Sequence, residues 1–390
     1  MNTVDNSSKV LIVKLSPYNA LTSSNMRTIA LIKGLQEMGY SIDWLTIAPS
    51  AVHTLRNMAE YDFMNKVNYI FANNFQVYDK IVTHKKGVKA RLTNFLRKMY
   101  HAFSMYDYTQ TIANKVNILS LSEKKYKYVF TISDPKSSHI ALRRLKAQGL
   151  KFDKWIQYWG DPLVGDITNK SVYPKFVLAH EERKLFASCD KIVYTSPFTL
   201  QNEALLHRQY KNKMIFVPTP FIEKKCYGKT NNRRPLVSYF GSYKSDIRNI
   251  VPLYDAALKV RDYFDFLIVG DSDLDLEGKD NIEIKPRGDV SEDEKCTDIY
   301  ICVLNNSGTQ IPGKVYHDAA TDKPVLVILD GEAGNEIKEY LSTFERYYFC
   351  ANHADAIASA LRYIVYENKN WEPSNQLEPV FVVNKMLHFK

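Results

Sequence analysis

Short apolar runs alternate with longer stretches of helical spacing along most of the chain. Residues 10–15 form a β-branched apolar run broken only by Lys14, the pattern of a strand covered on both faces. Residues 26–38 place apolar side chains at helical spacing, and Gly39 stands where a helix end favours a left-handed residue. Residues 41–47 form a second strand. A strand, a helix and a strand within about forty residues predict a parallel pair joined by a crossover. The same alternation predicts strands at 128–132, 155–159, 191–195 and 214–218, with helices at 136–148, 175–188 and 197–210.

Residues 221–235, FIEKKCYGKTNNRRP, are polar, basic and without periodicity, and read as a linker. A second series follows, with a strand at 236–240, a helix at 252–260, a strand at 264–269, a strand–helix–strand unit across 299–329 and a helix at 354–366. The fold class expected is α/β: two doubly wound Rossmann-like domains facing a cleft. The first domain spans 1–220 and the second 236–370, with a tail, 371–390, that can cross back to the first. In such folds ligands bind at the carboxyl edge of the sheet.

Composition narrows the picture modestly. A chain of 390 residues holds two or three domains, and 45% hydrophobic with 24% charged residues is ordinary for a globular protein. The net charge of +9 favours an anionic partner. The five cysteines are scattered, odd in number and form no C-x-x-C pair, which argues against a disulfide framework or a zinc site and for a reducing compartment. The first apolar run is too short for a signal peptide, and no run approaches the ~20 residues of a membrane span. The expectation is a cytoplasmic protein that binds no metal and no cofactor.

The 299–329 unit carries the first chemistry. Residues 305–309 read as a loop, Pro312 and Gly313 open a helix of about two to three turns, and Asp322-Lys323-Pro324 close it. Lys314 falls in the first turn, where a cation costs about 0.3–1 kcal/mol against the helix dipole and a bound anion would remove that cost. Arg248 repeats the anomaly. It follows Gly241-Ser242, at the end of the 236–240 strand, and precedes a helix whose start is expected near Asn249, because Pro252 fits only a first turn. Two cations at two helix starts suit a diphosphate, whereas each alone reads equally well as a solvated side chain. The chain has no G-x-x-x-x-G-K-[ST] and no G-x-G-x-x-G, which excludes an ordinary P-loop nucleotidase or dinucleotide enzyme.

The first domain offers candidates at three strand ends. In QYWGDP, Gly160 allows a sharp turn and Pro162 ends the strand, leaving the Asp161 carboxylate at the sheet edge beside Trp159. Such a carboxylate can orient a substrate hydroxyl or accept its proton; an Asp capping its own turn gives the same pattern. Asp134, in Ser-Asp-Pro, and His139 stand at another strand end. Ser23, Ser24 and Asn25 are placed to cap the first helix, either over a ligand or simply as caps. Residues 80–106 contain Lys80, Lys85, Lys86, Lys89, Arg91, Arg97 and Lys98 with no acid, interleaved with apolar residues at helical spacing. That is the pattern of a basic amphipathic helix for an anionic membrane surface, or of a helix packed on its own domain. No nucleic-acid recognition module is visible.

The segments FGSYKSDIRNIVPLYDAAL, LIVGDS, NSGTQIPGKVY and DKPVLVI resemble the donor-binding domain of GT-B glycosyltransferases, closest to family-4-like enzymes of bacterial surface polysaccharide synthesis. EERKLFASCDKIVYTSPFTLQNE and VPTP resemble the end of their acceptor domain. The resemblance implies transfer of a sugar from a nucleotide-sugar donor to a lipid-linked or saccharide acceptor, with retention of configuration and no metal. It implies donor contacts at Gly241, Ser242, Arg248, Thr309, Gln310, Lys314, His317 and Asp318. Acceptor contacts are then expected at Ser23, Ser24, Asn25, Asp134, His139 and Trp159, with Asp161 as the catalytic group. Many members carry two glutamates eight positions apart, which fall here on Thr309 and His317, neither acidic; Asp318 or His317 would then hold the donor ribose. A nucleotide-sugar epimerase, which can share the fold, and a non-catalytic carbohydrate or lipid-surface binder are the alternative readings.

Overall fold

The structure is a computed structural model that describes residues 8–51, 61–72, 99–100, 102–121, 125–166, 169 and 171–388. The chain divides into two compact units, Met1–Pro218 with Val382–Lys390, and Thr219–Phe381. Most of the basic 80–106 segment lies outside the described residues.

The first unit alternates β1 (Lys9–Pro17), α1 (Ser23–Glu37), β2 (Ser41–Ile47), β3 (Asn68–Phe71), α2 (Gln110–Ala113), β4 (Lys125–Ile132), α3 (Ser137–Ala147), β5 (Lys151–Trp159), α4 (Lys175–Phe186), β6 (Lys191–Tyr194), α5 (Pro197–Leu206) and β7 (Met214–Phe216). Its strands form one parallel sheet of order β3-β2-β1-β4-β5-β6-β7. The apolar runs are covered on both faces: Val10 to Val13 have no exposed surface, and Trp155, Trp159 and Phe186 fill the interior. Helix α1 ends where Gly39 was expected to end it. Gly39 has φ +87°, its N–H bonds to Gln36 O at 2.9 Å, and the Tyr40 N–H bonds to Leu35 O at 3.0 Å, the Schellman closure that a glycine permits.

The second unit contains β8 (Leu236–Phe240), α6 (Val251–Lys259), β9 (Asp265–Val269), β10 (Ile282–Lys285), α7 (Ser291–Cys296), β11 (Ile299–Val303), α8 (Gly313–Asp318), β12 (Val325–Leu329), α9 (Gly334–Ser342), β13 (Tyr348–Ala351) and α10 (Ala354–Glu367). Its parallel sheet has the order β10-β9-β8-β11-β12-β13. In both sheets the chain winds outward from a central strand, then returns beside that strand and winds the other way. The reversal falls between β1 and β4 in one unit and between β8 and β11 in the other, the place where folds of this kind bind ligands at the carboxyl edge.

Residues 221–235 form no helix or strand but are fastened along the second unit. Phe221 N–H bonds to Leu377 O at 3.1 Å, Lys225 N–H to Ala320 O at 2.8 Å and Tyr227 N–H to Asp322 Oδ1 at 3.1 Å. The last helix, α11 (Pro379–His388), ends among first-unit residues, with Met386 O accepting from Lys191 Nζ at 2.9 Å. Among the described residues no helix is long and apolar enough to cross a membrane.

Candidate functional site

In the second unit, β8 runs into Gly241, whose φ of +149° strains any side chain. Gly270 follows β9, and a Cβ there would lie 1.8 Å from Gly241 O. The two strand ends therefore meet backbone to backbone, and only glycine at 270 allows it. Lys314 packs over this turn. Its Cδ and Cε lie 3.7 Å from the Cβ position of Gly241, and its Nζ lies 4.8 Å from the centre of the Phe240 ring. Arg248 reaches the same turn, Nη1 donating to Ser242 O at 2.8 Å, while the Tyr239 hydroxyl donates to that carbonyl at 3.0 Å. Burial pushes the Tyr239 phenol up to about 12, with Arg248 opposing. Arg248 Nε is buried without a hydrogen-bond partner among the described residues. The two cations singled out by their positions at helix starts thus flank one Gly241-Ser242 turn at the sheet's reversal point.

The loop after β11 closes the arrangement. Asn306 N–H bonds to Ile247 O at 2.8 Å and Asn306 Nδ2 donates to Ser245 O at 3.3 Å, so the segments leading to Arg248 and to Lys314 are tied together. Asn305 Nδ2 donates to Gln310 O at 3.3 Å across the turn that carries Thr309. Thr309 is partly exposed and Gln310 is buried.

Helix α8 is shorter than expected, six residues. The carbonyls beyond it are used elsewhere: Ala319 O accepts from Ser374 N–H at 3.2 Å and Ala320 O from Lys225 N–H at 2.8 Å. The chain at Thr321 thus bridges to the 221–235 segment in place of a further turn. This also corrects Asp318 as a ribose contact. Its carboxyl is buried against β11, accepts from Cys302 Sγ at 3.1 Å, and is raised above the usual range by burial against the pull of Lys314. His317 is partly exposed on the same helix.

In the first unit the reversal point between β1 and β4 gathers a charged set. Lys14 is fully buried, donates to Ser16 Oγ at 2.6 Å and to Asn25 Oδ1, and is pushed well below its usual pKa by burial and by Arg27. Arg27 lies 5.1 Å over the Tyr158 ring and donates from Nη2 to Ser133 O at 2.7 Å. A Cβ at Gly160 would sit 2.7 Å from both Arg27 Nη atoms, so this glycine makes room for the guanidinium. Lys136 bridges Asp134 at 3.0 Å and Asp166 at 2.7 Å. Burial alone would lower the Lys136 pKa, but Asp134, then Asp166 and Asp161, outweigh it and raise it. The same neighbours act oppositely on the acids. Burial would raise Asp134, yet Lys136 and Arg27 hold it below the usual carboxylate range. Asp161 is pushed up to about 7 by burial and by its neighbours Asp134 and Asp166. One carboxylate stays charged and its neighbour is poised near neutrality, the separation that acid–base chemistry uses.

Four first-unit expectations need correction. His139 and Trp159 have no exposed surface. Their rings stack at 4.2 Å within the core, and His139 Nδ1 faces Thr131 Oγ1 at 2.7 Å; burial lowers His139 to about 3. Neither can meet an acceptor from there. The α1 cap is Thr22, whose hydroxyl accepts from Asn25 N at 3.1 Å. Asn25 is buried and donates to Pro17 O at 2.6 Å and Ala20 O at 2.9 Å, and Ser24 Oγ donates to Ser133 O and Asp134 O at 3.0 Å. These two tie backbone carbonyls together, while Ser23 is exposed at the helix start. Lys14, Arg27, Lys136 and Asp166 were not anticipated. Lys14 carried a signal, a lone charge inside an otherwise apolar buried strand.

At the end of the basic segment, Met99, Tyr100 and Phe103 are exposed, but Tyr106 is buried and its hydroxyl donates to Glu181 at 3.2 Å. The segment's final aromatic is therefore a core residue.

No protein-family model matches the chain, and no curated protein matches its sequence. Solved structures do match over nearly its whole length. The catalytic domain of starch synthase IV from Arabidopsis thaliana, bound to ADP and acarbose, aligns with TM-score 0.55 at 11% identity, covering 98% of this chain and 95% of that one. Sucrose-phosphate synthase from Thermosynechococcus elongatus aligns with TM-score 0.51 at 14% identity, over 97% and 94%. The lipopolysaccharide outer core galactosyltransferase WaaB, in its apo form, aligns with TM-score 0.51 at 9% identity, over 97% and 99%. The chain therefore has the fold of these enzymes, the two-domain α/β architecture called GT-B.

Proposed function

We propose that the chain is a glycosyltransferase of the family-4-like type, moving a sugar from a nucleotide-sugar to a saccharide or lipid-linked acceptor in surface polysaccharide synthesis. The observation that carries this reading is the convergence of Arg248 and Lys314 on the Gly241-Ser242 turn, where backbone and two cations offer a diphosphate its counter-charges. The ADP of the starch synthase neighbour is a ligand of that chemical class. Asp161 is assigned the acceptor side, taking the hydroxyl proton, with Lys136 holding Asp134 and Asp166 around it. A single displacement assisted by such a base inverts the anomeric centre. The retention implied by the resemblance instead leaves the proton to the departing diphosphate and limits Asp161 to orienting the hydroxyl. Proton NMR of the first-formed anomer separates the two courses.

The test is incubation with a panel of nucleotide-sugars, with and without saccharide and polyprenyl-linked acceptors. Acceptor-dependent release of nucleoside diphosphate is expected. Epimerised sugar without acceptor would assign an epimerase, and tight binding with no turnover a binding protein.

A membrane-surface role joins this reading through exposed apolar residues. Phe103 is 62% exposed and Phe176 73%, and their segments are joined by Val172 N–H to Ala102 O at 2.8 Å, next in sequence to the basic run. Each basic residue near an anionic bilayer adds about 1 kcal/mol. The protein is expected to co-sediment with phosphatidylglycerol vesicles and not with phosphatidylcholine vesicles, and Phe103→Ser with Phe176→Ser to halve the bound fraction or better. Equal recovery from both vesicle types would remove the membrane from the account.

A further inference from the structure

Beneath the loop that carries Asp161 lies a buried group that the proposed mechanism does not use. Glu182, on α4, has no exposed surface. Its Oε1 accepts from the backbone N–H of Leu163 at 2.5 Å and of Val164 at 3.2 Å. Its Oε2 lies 2.9 Å from His207 Nε2, and His207, at the end of α5, lies 3.5 Å from Glu203 Oε2. All three residues are buried. A carboxylate is costly to bury, and here one binds two consecutive amides of the segment that follows Asp161-Pro162. The far end of the same segment is held by Asp166 on Lys136, and Asn169 Nδ2 donates back to Leu163 O at 3.0 Å. The loop is thus fastened on both sides of its turn, once from below and once from the charged pocket.

We propose that Glu182, held by His207, is the positioning residue for Asp161, fixing the 161–166 loop so that the Asp161 side chain stands at the carboxyl edge of the sheet. This rests on the transferase reading for its catalytic consequence, though not for its structural one. Glu203, beside His207, is pushed up to about 9 by burial and by Glu182, and the amides of Leu163 and Val164 close on Glu182. The three ligand-type atoms lie within 4.8 Å of one another, so a bound divalent metal is the competing explanation for the same geometry.

The test uses Glu182→Ala and Glu182→Gln in the full chain. Amide hydrogen exchange at Leu163 and Val164 is expected to speed up at least tenfold in Glu182→Ala. Glu182→Gln keeps an acceptor oxygen, guards against misfolding and should fall between Glu182→Ala and the native protein. In turnover, kcat is expected to fall more than tenfold in Glu182→Ala with donor KM within twofold. The acidic limb of its pH profile should move below its native position near 7, because a loosened loop lets water reach Asp161. Unchanged exchange at both amides would overturn the proposal, as would one equivalent of zinc in the purified protein. Faster exchange with no turnover by any form, native included, would instead locate the failure in the transferase reading.

Discussion

Asp161→Asn is expected to lower turnover by about 10²–10⁴-fold, the range a positioned general base contributes, while leaving donor affinity unchanged. Asparagine keeps the shape and loses the ability to take a proton. The native profile should rise through pH 7, where the carboxyl loses its proton, and that limb should be absent in the variant. Stability should move the other way. A carboxyl with pKa near 7 in the folded chain and about 3.9 unfolded contributes favourably below about pH 4, and loses that contribution as pH rises through 7. The ionised Asp161, partly buried beside Asp134 and Asp166, is thus a burden above pH 7 that asparagine removes. Thermal unfolding at pH 8 is expected to place the variant at or above the native midpoint, and the difference should close below pH 4. A native-like rate would reduce Asp161 to a turn cap. A loss of only about tenfold, with the pH limb retained, would fit the retaining course, in which it orients the hydroxyl.

Lys314→Ala and Arg248→Ala are each expected to weaken nucleoside-diphosphate binding by about 10–100-fold, the loss of one hydrogen bond to a charged group at roughly 1.5–3 kcal/mol. The cost to folding should be small for Lys314. Its ammonium rests over Phe240, a contact of about 0.5–1 kcal/mol at an accessible site, and in a unit of this size that moves the unfolding midpoint by about 2–4 °C or less. Arg248 is held by Ser242 O and has a buried Nε, so its variant should lose somewhat more stability. Raising the salt concentration should weaken native binding and affect the variants less, since each has one fewer charge to screen.

The sheets were legible because parallel strands covered on both faces must be continuous apolar runs, and 41–47 and 236–240 match β2 and β8 residue for residue. The strands that escaped notice, β3, β10 and β13, are short sheet-edge strands whose residues are mostly half exposed. They lack the two-sided burial that gives the signal. The cation pair was legible because a charge at a helix start is locally unfavourable and needs a reason. What the glycines do was not. Gly270 and Gly160 matter through contacts with Gly241 O and Arg27, residues distant in sequence, which no local pattern encodes. His139 and Trp159 misled for the opposite reason. A polar or aromatic side chain beside a strand end looks functional, and only packing reveals that the imidazole stacks inward on the indole.

The most direct measurement is a calorimetric titration of UDP, GDP and ADP into the native protein, Arg248→Ala, Lys314→Ala and the double variant. If one pyrophosphate sits between the two side chains, at least one of these ligands binds the native protein, each single change weakens it, and the two losses are non-additive. Equal affinity across all four proteins, or no binding to the native chain at millimolar ligand, would contradict the claim.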